Sequence, residues 1–115
     1  MIIRKTDEVE FVELNEEGNR GVSIKTFSES SNRFSMIYFY IHSKGHTSYS
    51  SIKEESWIFV LKGKGVIRGE NALYTVEPGS LIYIASGEKH SFENPFDEPF
   101  EFICFKTGNP QTLML

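Results

Sequence analysis

Few side chains in this sequence could carry catalytic or metal-binding chemistry, and they are far apart. The histidines are His42, His46 and His90, and the one cysteine is Cys104. An imidazole transfers protons near neutral pH and ligates transition metals. Two ligands on one strand share a face when they are two residues apart, and no two histidines here have that spacing. No pair of histidines can therefore ligate a metal from one strand in this way, and no histidine has a visible catalytic partner.

Composition and charge exclude several classes of function. The net charge is -4 and the basic residues are dispersed, which argues against nucleic acid or an anionic membrane as a partner. One cysteine cannot form an intrachain disulfide, as is typical of a reducing compartment. No signal peptide is recognisable, and no apolar run approaches the ~20 residues of a membrane-spanning helix. These features predict a cytoplasmic protein that contacts neither nucleic acid nor membrane.

Hydrophobic periodicity predicts strands rather than helices. Short apolar or alternating runs recur, and no 3.6-residue period is sustained. The predicted strands are Glu10–Leu14, Val22–Phe27, Ser35–His42, Thr47–Ile52, Trp57–Lys62, Gly65–Arg68, Ala72–Val76, Leu81–Ile84, His90–Glu93 and Phe100–Lys106. Turn residues separate them, and Ser28 to Asn32 are expected to form an exposed loop. The pattern predicts one all-β domain over residues 1–115, a sandwich or barrel.

The region from Gly79 to Asn94 contains four residues at a distinctive spacing. Gly79, Gly87, His90 and Asn94 follow the pattern G-x5-P-x-G-x2-H-x3-N, with Ala85 in place of the proline. This stretch resembles the second motif of the cupin superfamily. The resemblance implies an antiparallel jelly-roll barrel, a double-stranded β-helix, that encloses a ligand or metal site and is usually dimeric.

The first cupin motif, G-x5-H-x-H-x3-E-x6-G, is only partly present. Its closing hairpin is recognisable at Gly63, but its two histidine positions fall on Ser50 and Ile52, and its acidic position falls on Ser56. An aliphatic side chain in a ligand position opposes a hydrated cation. We therefore predict no bound metal and no other cofactor.

Other side chains could supply an unorthodox metal site. Glu55 would replace the missing acid if the register slipped by one residue, and His46 lies four residues before Ser50. Cys104 would add a soft ligand, because the resemblance places its strand along the pocket wall. The adjacent Glu54 is expected to point to solvent. The predicted ligand pocket comprises Ser50, Ile52, Ser56, His90, Phe102 and Cys104.

Three functions remain open at this point. The first is a metal-free module that binds a small molecule, either a sugar or a small carboxylate, in an apolar and aromatic barrel. The second is a cupin enzyme, an isomerase, lyase or dioxygenase, with His90 as general base or as part of an unorthodox metal site. The third is a non-catalytic scaffold. Each is expected to be a homodimer, with Trp57 pointing away from the pocket.

Overall fold

The computed structural model describes residues 1–27 and 33–107, so the loop predicted at 28–32 lies outside the described residues. Within them the chain forms a 3₁₀ turn, Thr6–Glu8, and nine strands. The strands are β1 (Val12–Leu14), β2 (Arg20–Thr26), β3 (Phe34–His46), β4 (Ser56–Lys62), β5 (Gly65–Arg68), β6 (Leu73–Val76), β7 (Leu81–Ile84), β8 (Ser91–Glu93) and β9 (Phe100–Thr107). In the described part of the chain, no helix is long and apolar enough to cross a membrane.

The strands form one antiparallel sheet that curls into a jelly-roll barrel, as predicted. Its order is β6-β5-β8-β3-β9-β4-β7, and β2 pairs with β1 and β3 off this path. The long strand β3 joins the two halves, because Phe34 to Ile41 pair with β9 and His46 pairs with Glu93 of β8. The sheet therefore has an inner face and an outer face along its whole length.

Alternation along β4 separates those two faces. Ser56, Ile58 and Val60 are buried, whereas Trp57 and Phe59 are about half exposed. Successive strand residues point to opposite sides of a sheet, so the period-2 pattern fixes which side chains enter the barrel. The core is built from these inward positions, and its members include Val22, Ile41, Ile58, Val60, Ile67, Val76, Ile84, Phe92, Phe100, Phe102 and Cys104.

The strand predicted over Thr47–Ile52 is wrong. β3 continues through Gly45 to His46, and the following residues make single backbone contacts rather than a ladder. Ser50 forms an isolated bridge with His90, in which each amide donates to the other carbonyl at 3.0 Å. Isolated hydrogen bonds of this kind pair backbone N–H and C=O groups without requiring a regular strand.

Two residues of the cupin-like motifs have clear structural roles. Gly63 has φ +72°, and a Cβ there would lie 1.9 Å from the Pro99 carbonyl oxygen, so only glycine fits this corner. The Asn94 side chain is buried and donates to the carbonyls of Ile41 and Glu98 at 3.0 and 2.8 Å. It thereby ties the turn after β8 to the middle of β3.

Candidate functional site

A cavity of about 180 Å³ lies on the inner face of the barrel, between β4, β9 and the irregular segment after β3. Hydroxyl groups and an imidazole lie on its walls, and aromatic and aliphatic side chains form the rest. The lining residues are Leu14, Asn19, Phe39, Thr47, Ser48, Ser50, Ile52, Ser56, Ile58, His90, Phe92, Cys104 and Lys106. This mixture of a few polar groups with an apolar surround is typical of small-molecule sites.

Two larger depressions lie elsewhere on the molecule. One of about 610 Å³ runs between the edge strands β6 and β7, and its lining includes Tyr74 and Leu81. The other, of about 390 Å³, lies between the first nine residues and the outer side of β3 and β9, lined by Phe34 and Ile103 among others. His90 borders both the 610 Å³ depression and the inner cavity. We take the inner cavity as the candidate site because most residues of the predicted pocket line it.

The structure brings together five of the six residues of the predicted pocket. Ser50, Ile52, Ser56, His90 and Cys104 all line the inner cavity. Ser50 is exposed at its mouth, whereas Ser56 lies deep inside and is only 2% exposed. Because β4 and β9 are paired in register, inward residues from both strands converge on the same end of the barrel.

Phe102 does not line the cavity, which corrects that part of the predicted pocket. Its ring is fully buried and is covered by Phe39, whose centroid is 4.8 Å away, and by Phe92, at 4.6 Å. Strand parity placed Phe102 on the inner face but could not show that two other rings separate it from the open space. Phe39 and Phe92 form that part of the cavity wall instead.

Sequence reasoning missed several lining residues. Lys106 is two residues after Cys104 on β9, so strict alternation along that strand would have found it. Thr47, Ser48 and Asn19 carried no such signal, because they lie in irregular segments. Their positions depend on tertiary hydrogen bonds, for example from the Ser48 amide to the Asn19 side-chain oxygen at 2.9 Å.

His90 is held in one orientation. Its Nδ1 lies 2.8 Å from the Glu88 carbonyl oxygen, and a carbonyl can only accept a hydrogen bond. Nδ1 therefore carries the proton in the neutral ring, and the Nε2 lone pair is available to a ligand. Edge-to-face contact with Phe92, at 5.4 Å between centroids, further restricts the ring.

Ser56 and Cys104 form the deep end of the cavity. Burial raises the pKa of the Cys104 thiol, so it is protonated and a poor nucleophile near neutral pH. The neighbouring Ser56 hydroxyl lowers the pKa of this thiol, but by less than burial raises it. Among the described residues, Ser56 Oγ has no hydrogen-bond partner and is the one fully buried side-chain nitrogen or oxygen in that state.

The remaining candidate metal ligands are dispersed. His42 is exposed and packs against Tyr40, and His46 contacts the Thr47 carbonyl; neither histidine lines the cavity. Glu55 is exposed and accepts a hydrogen bond from the Tyr83 hydroxyl at 2.5 Å. The expectation for Glu54 is wrong, since its side chain is buried, 8% exposed, rather than in solvent.

These positions do not provide the metal site that a cupin barrel implies. In residues 1–27 and 33–107, no three His, Cys, Asp or Glu side chains are grouped to hold an ion. The positions equivalent to the family's ligands carry Ser50, Ile52 and Ser56 beside His90, a donor set of one imidazole and two neutral hydroxyls. Such a set is poor for a transition metal.

Comparison with known proteins establishes the family. The model of the cupin domain family matches residues 42–106, more than half of the chain. The matched region contains β4 to β8, the cavity mouth and most of β9. The chain therefore belongs to the cupin domain family, which confirms the resemblance seen in the sequence.

Two enzymes are similar over part of this chain. A 1-methylthio-D-xylulose 5-phosphate methylsulfurylase from Rhodospirillum rubrum is 30% identical over 67 residues, which are 58% of this chain and 43% of the enzyme. A glucose-6-phosphate isomerase from Pyrococcus abyssi is 35% identical over 71 residues, covering 56% of this chain and 36% of the enzyme. The chain thus spans less than half the length of either.

Solved structures confirm the fold. The polyketide cyclase RemF from Streptomyces resistomycificus superposes with a TM-score of 0.86 and 21% identity, covering 93% of this chain and 79% of that one. At this identity the likeness shows a shared barrel and carries no information about substrate.

Proposed function

We propose that the protein binds one small polar organic molecule, a sugar or a small carboxylate, in the inner cavity and without a metal. The observation that carries this proposal is the lining itself. Hydroxyl groups of Thr47, Ser48 and Ser50 and the imidazole of His90 lie on the walls, beside the rings of Phe39 and Phe92. Sugars present hydroxyls at their edges and apolar C–H faces, which suit such a combination.

Size and similarity support the same class. A cavity of about 180 Å³ corresponds to roughly six water molecules at about 30 Å³ each, the scale of a monosaccharide rather than a polymer. The two enzymes that match this chain in sequence are named for phosphorylated sugars. A site without converging metal ligands leaves recognition to hydrogen bonds and stacking.

A ligand screen by thermal shift tests the proposal. A ligand at a hundred times its Kd should stabilise the protein by about 2.7 kcal/mol. The panel contains monosaccharides, sugar phosphates and small hydroxy-carboxylates, applied to the wild type, His90→Ala and His42→Ala. His42 is an exposed histidine outside the cavity, so only His90→Ala should reduce the shift. A panel with no shift at all would refute the proposal.

The orientation of His90 favours a second candidate, a proton-transfer enzyme of the isomerase or lyase type. The Glu88 carbonyl accepts a hydrogen bond from Nδ1, so in the neutral ring Nε2 is the unprotonated nitrogen that could act as a general base. NMR in D₂O would detect exchange of a proton next to the carbonyl of a bound sugar. Exchange that is lost in His90→Gln supports the enzyme, and exchange that persists removes His90 from that role.

We also propose a homodimer formed through the outer face of β4 and β7. Trp57 pairs with Tyr83 and Phe59 pairs with Leu81, and all four are between 43% and 64% exposed. The four side chains carry no charge, and the Trp57 and Tyr83 rings lie 5.1 Å apart. An exposed aromatic cluster of this kind is typical of protein interfaces. A scaffold function would depend on this surface alone and predicts no ligand.

A further inference from the structure

The inner cavity contains one charged side chain. Among its lining residues in the described part of the chain, Lys106 is the only one with a formal charge at neutral pH. Lys106 is half-buried and takes part in no hydrogen bond or ion pair with another described residue. A half-buried lysine that lines a cavity, with no ion pair to the described residues, can attract an anion to that cavity.

Ser56 lies directly beside this lysine. The two residues form a cross-strand pair between β4 and β9, so their side chains are neighbours on the inner face. Ser56 is 2% exposed, and its hydroxyl has no hydrogen-bond partner among the described residues. A buried hydroxyl costs free energy unless it is paired, so Ser56 would gain a hydrogen bond from a molecule that reaches this end of the cavity.

The nearby carboxylate of Glu54 would repel a bound anion, but its effect at the deep end of the cavity is smaller than that of Lys106. Glu54 is buried close enough to affect Cys104, yet it does not line the cavity. Burial raises the pKa of the Cys104 thiol most, and the positive charge of Lys106 lowers that pKa more than Glu54 raises it. On the cavity lining itself, the charge that a bound anion would meet is that of Lys106.

From this arrangement we propose that the cavity selects an oxyanion, and that the carboxylate or phosphate of the ligand lies against Lys106 and Ser56. The hydroxyl end of the ligand then faces Ser50 and His90 at the mouth. The inference rests on the proposed function and deepens it, because it assigns both the charge and the direction of the ligand. Carboxylate and phosphate share this chemistry, and the experiment separates them.

Isothermal titration with three related probes tests the charge requirement. D-Glucose is neutral, D-gluconate carries a carboxylate, and D-glucose 6-phosphate carries a phosphate. We expect at least one of the two anions to bind the wild type about 10- to 100-fold more tightly than glucose. Equal affinity for glucose would overturn the inference and leave the proposed function intact. No binding by any of the three probes, together with no shift in the thermal-shift panel, would overturn both.

Variants test the assigned groups. Lys106→Met keeps the side-chain length and should weaken the anion about 10- to 100-fold, while Lys106→Arg should retain most of the affinity. Glu54→Gln should tighten binding of the anion, because it removes the opposing charge. Ser56→Ala should weaken the anion by a smaller factor. An unchanged anion affinity in a Lys106→Met protein with wild-type circular dichroism would overturn the inference.

Discussion

Replacing Ser56 with alanine should increase the stability of the ligand-free protein, whereas the same change at Ser91 should decrease it. Both serines are 2% exposed, so the two substitutions remove equally buried hydroxyls. The Ser91 hydroxyl donates to the Glu93 carboxylate at 3.2 Å, but Ser56 Oγ has no partner among the described residues. An unsatisfied buried polar group costs about 1–3 kcal/mol, and a hydrogen bond to a charged group contributes about 1.5–3 kcal/mol.

The expected changes are therefore opposite in sign. Ser56→Ala should raise the free energy of unfolding by about 1 kcal/mol, and Ser91→Ala should lower it by about 1.5 kcal/mol. With an unfolding entropy of about 2.1 cal/mol/K per residue, 1 kcal/mol corresponds to about 4 °C in Tm for 115 residues. Urea denaturation and calorimetry of both variants measure these values. If Ser56→Ala destabilised the protein as much as Ser91→Ala, the Ser56 hydroxyl would have a protein partner and would not be reserved for a ligand.

Three further predictions concern the core, the outer face and the pH response. Phe102→Ala should cost about 3–5 kcal/mol in urea denaturation, because the ring is fully buried beneath the cavity wall. Trp57→Ser should convert the dimer to monomers in sedimentation velocity. Leu73→Ser is the control, because it replaces an exposed apolar side chain on β6, and it should leave the dimer intact. The Arg68 guanidinium holds the pKa of the Glu93 carboxyl below its ordinary value of 4.5. This pair therefore stabilises the fold above pH 4.5, and the stabilisation is lost as the pH falls through the lowered pKa of Glu93. Arg68→Met should flatten the fall in Tm between pH 6 and pH 3; an unchanged slope contradicts the assignment.

The sequence predicted the barrel for two reasons. Apolar and polar residues alternate along its strands, and its turns contain glycines, which tolerate backbone conformations that other residues avoid. Gly79 and Gly87 have φ of +91° and +78°, as their place in the turns required. Trp57 lies on the outer face and Ser56 on the inner face for the same reason of parity. These properties are local, so a single sequence reveals them.

The candidate site was less accessible to such reasoning. The segment from Thr47 to Ile52 has an alternating composition, yet it is held by isolated contacts to β8 and to Gly87 instead of a ladder. Glu54 is charged but buried, which no local pattern signals. Whether Phe102 or Phe92 faces the cavity depends on which ring lies above the other, and only the assembled barrel determines that order.

The reciprocal bridge between Ser50 and His90 has a consequence for how a ligand enters. Two amide–carbonyl hydrogen bonds of 3.0 Å tie Ser50, in the irregular segment after β3, to His90, the residue directly before β8. If this segment opened as a flap to let a ligand enter, both hydrogen bonds would have to break. We therefore expect a ligand of monosaccharide size to enter through a mouth with a fixed backbone, whose width depends on side-chain rotamers. The two bridge amides should then exchange with deuterium more slowly than the exposed amide of Ser51, and at the same rate whether the interior is filled or vacant.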